Sequence, residues 1–134
     1  MSTPASGPLA GPNPLAGHRV LLVEDEMLVS MLIEDVVKDL GCEVVGPAAS
    51  RDLAMSLAET EQVDVALLDV NLGGESVFPV ADVLKTRGVP FAFISGYGQN
   101  GVTDRYADVP TLAKPFRLAT VEHTIADLIR ARPT

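Results

Sequence analysis

Apolar and polar residues follow two different periods along the chain after residue 18. Short apolar runs of strand length occur at five places: Arg19–Val23, 43–46, 64–69, 90–94 and Thr111–Ala113. Longer segments, in which apolar residues recur every three or four positions, predict helices. These segments are 27–40, 50–61, 76–86 and 117–132. The Gly-rich segment 97–106 predicts at most a short helix, so strands and helices alternate along the chain.

This alternation determines the fold class that we predict. Strands joined by helices form a parallel sheet with right-handed crossovers. The third apolar run carries apolar residues on both faces, as in a strand that helices cover on both sides. We therefore predict a (βα)5 α/β fold: a flavodoxin-like, doubly wound, five-stranded parallel sheet with helices on both faces.

The helical periodicity also predicts which side chains face the core. On the first helix the apolar positions are Leu28, Met31, Leu32, Val36 and Leu40, and the polar ones are Ser30, Glu34 and Lys38. Ser50 is a candidate N-cap of the second helix. The other predicted inward positions are Leu53, Leu57 and Ala58 on the second helix and Leu118, Val121, Ile125, Leu128 and Ile129 on the last.

The composition limits the number of domains and the compartment. With 134 residues, of which 47% are hydrophobic, the chain is long enough for one domain with its own core. Residues 1–17 contain four prolines and no charge, so we predict a disordered tail there and a domain over 18–132. The single cysteine, Cys42, excludes an internal disulfide and fits the cytoplasm. No apolar run is long enough to cross a membrane.

The charge argues against two classes of partner. The chain has 18 acidic and 10 basic residues, which gives a formal net charge of −8. Nucleic acids and anionic membranes both require clustered basic residues. We therefore expect no nucleic acid and no membrane among the partners, and we expect a monomer.

Chemically active side chains follow the predicted strands. Glu24 and Asp25 follow the first, Asp69 ends the third, Ser95 follows the fourth and Lys114 the fifth. Each is ordinary when taken alone, but the carboxyl ends of parallel strands share one edge, where ligands bind. Crowded carboxylates repel one another unless a cation joins them. Oxygen ligands without His or Cys favour Mg²⁺ as that cation.

Four short motifs at these strand ends resemble a known family. They are Leu-Val-Glu-Asp-Glu at 22–26, Leu-Leu-Asp-Val-Asn-Leu at 67–72, Ile-Ser-Gly at 94–96 and Lys-Pro-Phe at 114–116. Their order and spacing resemble the receiver domains of bacterial two-component response regulators, over residues 18–132. The resemblance implies that Asp69 accepts a phosphoryl group from a phosphohistidine. The donor would be a histidine kinase or a histidine phosphotransfer protein.

The resemblance also implies a metal site beside Asp69. Asp25, Asp69 and the backbone carbonyl of Asn71 would bind Mg²⁺, and Glu24 would contribute through a bound water. These assignments fit the physics of phosphoryl transfer, which consists mainly of positioning and charge neutralisation.

A switch is the third implication of the resemblance. Lys114 would pair with a phosphoryl oxygen, and the peptide bond to Pro115 is expected to be cis. Ser95 would hydrogen-bond the attached phosphoryl group. The loop that follows, beginning with Gly96 and Tyr97, would then reorder.

A narrower likeness concerns residues 90–98, Pro-Phe-Ala-Phe-Ile-Ser-Gly-Tyr-Gly. They look like the signature of FATGUY single-domain regulators, with Ser95 in the usual place of Thr. Many receivers move an aromatic residue on the fifth strand, but Thr111 stands there in this chain. We therefore expect Tyr97 to carry the readout and to shield the phosphoaspartate. The surface for a downstream protein target is expected over 96–108 and the last helix.

Several alternatives are open at this point. A haloacid-dehalogenase-type phosphatase would carry a second Asp where Asn71 stands. A flavodoxin-like cofactor binder would need a phosphate loop after the first strand, where Glu24 and Asp25 would repel a phosphate. An inactive scaffold receiver, or a receiver fragment of a hybrid kinase, is also possible. On the main interpretation the protein is not an enzyme, and its only reactions are self-phosphotransfer and slow autodephosphorylation.

Overall fold

A computed structural model of the chain describes residues 15–96 and 101–132. The strands are β1 Arg19–Val23, β2 Glu43–Ala48, β3 Val65–Asp69, β4 Asn71–Leu72, β5 Glu75–Ser76, β6 Phe91–Ser95 and β7 Thr111–Ala113. The helices are α1 Met27–Asp39, α2 Arg51–Thr60, α3 Phe78–Thr86 and α4 Leu118–Arg130, with a 3₁₀ helix at Asp104–Tyr106.

Five of the strands form one parallel sheet in the order β2-β1-β3-β6-β7. β3 occupies the centre of this sheet and is buried along its whole length. The other two strands, β4 and β5, form a small antiparallel hairpin directly after β3. The predicted fold class is confirmed, and the hairpin is an addition in a segment that we predicted as a loop.

The sheet separates two apolar layers. Residues of α1 and α4 pack on one face, and residues of α2 and α3 pack on the other. Because successive side chains of a strand point to opposite faces, β1 contributes Val20 and Leu22 to the first layer and Leu21 and Val23 to the second. The carboxyl ends of the strands are therefore held between two packed faces.

The predicted inner face of α1 is right for Val36, which is buried, and wrong for three of the other apolar positions. Leu28, Met31 and Leu32 are 76%, 53% and 48% exposed. The buried residues of this helix are Ser30, Ile33, Val36 and Val37. Because α1 is apolar on nearly all sides, its pattern fits two different inner faces. The face that is exposed in the structure carries Asp35 and Asp39, whereas the buried face carries no charge.

Two further predicted core residues lie at the surface. Leu53 on α2 and Leu118 on α4 are both 46% exposed, because each stands in the first turn of its helix, at the edge of the sheet. The N-cap of α2 is confirmed, since Ser50 Oγ accepts a hydrogen bond from the Leu53 amide at 3.2 Å.

The end of the predicted tail contacts the domain. The carbonyl oxygen of Leu15 lies 2.9 Å from His18 Nδ1 and accepts a hydrogen bond from Cys42 Sγ at 3.1 Å. The Gly17 amide donates to the Gly41 carbonyl at 2.9 Å. Residues 15–17 therefore belong structurally with the domain, whereas residues 1–14 lie outside the described part of the chain.

An aromatic cluster holds the residues around Tyr106, between β6 and β7, against α3. The Tyr106 ring is 3% exposed and packs on Phe78, Phe91 and Phe93, with ring centroids 5.6–6.0 Å apart. The Tyr106 hydroxyl donates a hydrogen bond to the Asp82 carboxylate on α3. Sequence reasoning missed this ring, because the segment around it is polar and rich in glycine.

Candidate functional site

The carboxyl edge of the sheet carries a cavity of ≈ 620 Å³. Its lining includes Asp25, Asp69, Ser95 and Lys114, so the structure brings together the side chains that follow four different strands. Glu24 lies beside them and is buried. The other lining residues are Glu26, Val70, Asn71, Gly73, Gly96 and Gly101.

Asp69 is the last residue of the central strand, and its carboxyl group is held from two sides. Its Oδ1 accepts a hydrogen bond from the Asn71 amide at 3.1 Å, and its Oδ2 lies 3.2 Å from Lys114 Nζ. The Val70 amide donates to the Ile94 carbonyl at 2.9 Å, which fixes the backbone beyond the strand. Asp69 lines the cavity and is only 5% exposed, since it ends a strand that is buried along its whole length.

Glu24 is the most deeply buried acid of the site, at 2% exposure. Burial, and then the neighbouring Asp69, raise the pKa of Glu24 to about 8, although the Glu26 amide and Lys114 act in the opposite direction. Its Oε2 accepts the Glu26 amide at 3.0 Å. Its Oε1 is buried and accepts no hydrogen bond among the residues that the structure describes, and it forms an ion pair with Lys114 Nζ at 3.3 Å. A buried carboxylate oxygen with this single ionic partner keeps acceptor capacity for a further ligand.

The three carboxyl groups fit a divalent cation. Glu24, Asp25 and Asp69 each offer an oxygen, and these oxygens lie within 4.8 Å of one another. Asp25 is exposed and the other two are buried, so a cation would reach the cluster from the solvent side. All three donors are hard oxygen ligands, which suit Mg²⁺ rather than Zn²⁺ or Cu²⁺. Glu24 belongs to the same cluster, and its Oε1 accepts no hydrogen bond, which supports this fit.

Lys114 supplies the positive charge of the site. Its Nζ lies 3.2 Å from Asp69 Oδ2 and 3.3 Å from Glu24 Oε1, and it also contacts Glu26 Oε1. Burial alone would lower the pKa of Lys114, but the hydrogen bond to Glu26 and the charges of Asp69 and Glu24 outweigh it and raise this pKa. The lysine is therefore a permanent cation in this site. The Lys114–Pro115 bond is cis, as predicted, and a second cis bond joins Gly46 and Pro47.

Ser95 ends β6 beside the strand that leads to Lys114. Its side chain is buried, and its carbonyl accepts a hydrogen bond from the Lys114 amide at 2.9 Å. Gly96 and Asn71 line the cavity, and Asn71 Oδ1 closes a turn by accepting the Gly74 amide at 2.8 Å. The metal-binding role of Asn71 and the switch role of Gly96 stay predictions. Tyr97 lies outside the described residues, so its predicted role stays a prediction.

Glu26 is the site residue that the sequence reasoning missed. It belongs to the acidic run after the first strand, but we assigned it no role. The sequence feature that indicates a role for Glu26 is its charge. A third consecutive carboxylate beside the site is expected to form an ion pair with the lysine of the site.

The comparisons place the chain in a family. The model of the response regulator receiver domain family matches residues 20–126. The phyllosphere-induced regulator PhyR of Methylorubrum extorquens is 35% identical over 114 residues, which are 82% of this chain and 43% of that protein. This chain spans about half the length of the curated relatives that it matches.

Solved structures agree with this family. The PhyR receiver domain of Erythrobacter litoralis has a TM-score of 0.80 at 32% identity and covers 90% of this chain and 95% of that one. The receiver domain of a sensor histidine kinase from Pseudomonas aeruginosa has a TM-score of 0.70 at 24% identity, over 87% of this chain and all of that one, and carries a magnesium ion in its active-site cleft. Among the described residues, no helix has the length and apolar character that a bilayer span requires.

The order of the strands, the acidic edge and the family match all lead to one assignment: the chain belongs to the response regulator receiver domain family.

Proposed function

We propose that Asp69 is the phosphoacceptor of this receiver domain and that its phosphorylation controls a protein interaction or relays phosphate. The observation that carries the proposal is the position of the Asp69 carboxylate, at the end of the central strand and 3.2 Å from the only ammonium group of the described cavity lining. Receiver domains are modules of signalling regulators and not an enzyme family. This leaves phosphoryl transfer to and from Asp69 as the chemistry of the site.

The transfer step uses three side chains that line the cavity, those of Asp69, Ser95 and Lys114. An Asp69 oxygen forms a bond to phosphorus while the P–N bond of the donor's phosphohistidine breaks, and the electron pair of that bond stays on the imidazole nitrogen. Lys114 neutralises charge on a phosphoryl oxygen, and Ser95 donates a hydrogen bond to another. Preorganised positive charge of this kind is the main source of catalysis in phosphoryl transfer.

Asp25, Asp69 and the Asn71 carbonyl would hold Mg²⁺, with Glu24 contributing through a water. The ion would supply positive charge in addition to that of Lys114 and so would help to neutralise the phosphoryl oxygens. The support for this assignment is the carboxylate cluster itself, whose oxygens lie within 4.8 Å of one another, and its Glu24 Oε1, which accepts no hydrogen bond.

Mg²⁺ is expected to raise the melting temperature of the protein. At a concentration ten times its Kd, a ligand of the native state stabilises by about 1.4 kcal/mol, which corresponds to roughly 3–6 °C for a domain of this size. Thermal unfolding with and without Mg²⁺ at constant ionic strength measures this. Asp25→Asn should remove most of the increment, and the exposed Asp108→Asn should keep it; an equal increment in both variants would place the ion elsewhere.

The surface beside the site suits a protein phosphodonor. Met27, Leu28 and Met31 are exposed on α1, directly after the acidic residues of the site, and the exposed Leu118 begins α4 four residues after Lys114. An apolar surface next to the reacting atoms would let a histidine kinase or a phosphotransfer protein present its phosphohistidine to Asp69.

We place this reaction in the cytoplasm, since a lone buried Cys42 fits a reducing compartment.

The segment after Ser95 is proposed as the output element. Gly96 and Gly101 both line the cavity, and Gly96 is exposed. Hydrogen exchange with and without fluoroberyllate, a phosphoryl mimic, is expected to change most over residues 96–108, because this segment directly follows Ser95, which would hydrogen-bond the phosphoryl group. A change confined to α1 would place the output surface there instead.

Phosphotransfer to the wild-type protein tests the proposed function. The protein is incubated with acetyl phosphate, or with an autophosphorylated histidine kinase, in the presence of Mg²⁺. Intact mass should show one added phosphoryl group that is stable in acid and labile in base, as in an acyl phosphate. EDTA should prevent its formation. A protein that stays unlabelled with every donor would support the inactive scaffold instead.

A further inference from the structure

The Lys114 ammonium is shared between the reaction centre and a residue that the proposed chemistry does not use. Besides Asp69 and Glu24, it contacts Glu26, and this hydrogen bond is the strongest influence that raises the lysine pKa. Glu26 and Lys114 are 88 positions apart in the chain, so the contact is made by the fold and not by local geometry.

The Lys114–Glu26 ion pair opposes the binding of a phosphoryl group, because the cavity already carries an excess of negative charge. Among the described residues of the site, three carboxyl groups contact the single ammonium of Lys114, those of Glu24, Glu26 and Asp69, and that of Asp25 lines the same cavity. A phosphoryl group brings further negative charge to the same place. The phosphoryl group therefore needs an ion pair with Lys114, but in this structure Lys114 is already paired with Glu26.

Glu26 is placed so that it can release the lysine. Its side chain is 59% exposed, whereas those of Glu24 and Asp69 are 0% and 7% exposed. Glu26 occupies the N-cap position of α1, yet its side chain makes no capping hydrogen bond. The carboxylate is thus directed to Lys114 and not to the helix, and water is available to solvate it after release.

We propose that Glu26 is a positioning residue that restrains Lys114 and thereby slows the phosphorylation of Asp69. The proposal rests on the proposed function of Asp69. In the phosphorylation step the acyl P–O bond of acetyl phosphate breaks, acetate leaves with the electron pair, and an Asp69 oxygen takes its place on phosphorus. Lys114 must turn from Glu26 to a phosphoryl oxygen during this exchange.

Two substitutions separate restraint from simple repulsion. Glu26→Gln removes the charge, and Glu26→Asp keeps the charge but shortens the side chain and favours the capping of α1. Restraint predicts faster labelling by acetyl phosphate at saturating Mg²⁺ for both, by about two- to fivefold, which is the range for an ion pair with one exposed partner. Glu59→Gln, an equal change of charge on the exposed face of α2, is the matched control and should keep the wild-type rate.

A double-mutant cycle tests whether the effect acts through the lysine. In a Lys114→Met background, Glu26→Gln should no longer change the labelling rate. In the metal-free proteins, the melting temperatures of the two single variants and the double variant should be non-additive, which reports the ion pair without any phosphorylation.

Each other outcome overturns the inference. Acceleration by Glu26→Gln with a wild-type rate for Glu26→Asp would show repulsion alone, and wild-type rates for both would show no role. Additive melting temperatures, or an effect that persists without Lys114, would also contradict it. Absence of label on the wild-type protein would overturn the proposed function and the inference with it, whereas labelled wild type with unchanged variants overturns the inference alone.

Discussion

Asp69→Asn is expected to abolish phosphoryl labelling, by at least about 10³-fold relative to the wild-type protein. The amide cannot act as the nucleophile, and removing a nucleophile commonly costs this much or more. Asn has nearly the same size as Asp, so the packing at the end of β3 is kept. The measurement is intact mass after incubation with acetyl phosphate and Mg²⁺, over a time in which the wild-type protein is fully labelled.

The loss should not come from unfolding. Asp69 is one of the carboxyl groups that raise the pKa of Glu24, so its removal relieves repulsion in the metal-free protein. We expect an unchanged or higher melting temperature for Asp69→Asn without Mg²⁺. Asp108→Asn, a substitution of the same kind at an exposed position, should be labelled normally. An acid-stable, base-labile label on Asp69→Asn would move the phosphoacceptor to another carboxylate.

Tyr106→Ala is expected to destabilise the protein by about 3–5 kcal/mol, the usual cost of removing a buried aromatic side chain. The ring packs on Phe78, Phe91 and Phe93, so its loss leaves a cavity inside an aromatic cluster. For a domain of this size the melting temperature should fall by roughly 10–15 °C. Thermal or urea-induced unfolding of the metal-free protein measures the change.

Tyr106→Phe separates the ring from its hydroxyl. It keeps the packing and removes only the hydrogen bond to Asp82, so a loss of about 1 kcal/mol is expected. If the two substitutions cost the same, the hydroxyl and not the ring holds the segment between β6 and β7. If neither has an effect, the segment does not depend on this cluster at all.

Strand periodicity was sufficient to predict the fold and most of the site. The buried strands are short, apolar and well separated, so each strand end could be located to within one or two residues. Because parallel strands share one carboxyl edge, Asp69, Ser95 and Lys114 had to converge once the strands were placed. No long-range information beyond the alternation of strands and helices was needed for that step.

The errors arose where two arrangements satisfied the same local pattern. α1 has apolar residues on almost every side, so periodicity did not choose between the face with Leu28 and the face with Ile33. The absence of charge on the inner face was the better criterion. The pairing of Glu26 with Lys114 joins residues far apart in the chain, and only the folded structure brings such partners together.

The division of the interior by the sheet has a consequence for how this domain tolerates change. The α1–α4 layer and the α2–α3 layer share strands but not helices, so each can be repacked while the other keeps its shape. Substitutions of inward residues on opposite faces should thus be thermodynamically independent. The aromatic cluster lies on the α2–α3 side, whereas the exposed apolar surface proposed for the phosphodonor lies on α1 and α4. On the proposed function, substitutions that alter the phosphodonor surface are therefore expected to leave the packing of the aromatic cluster unchanged.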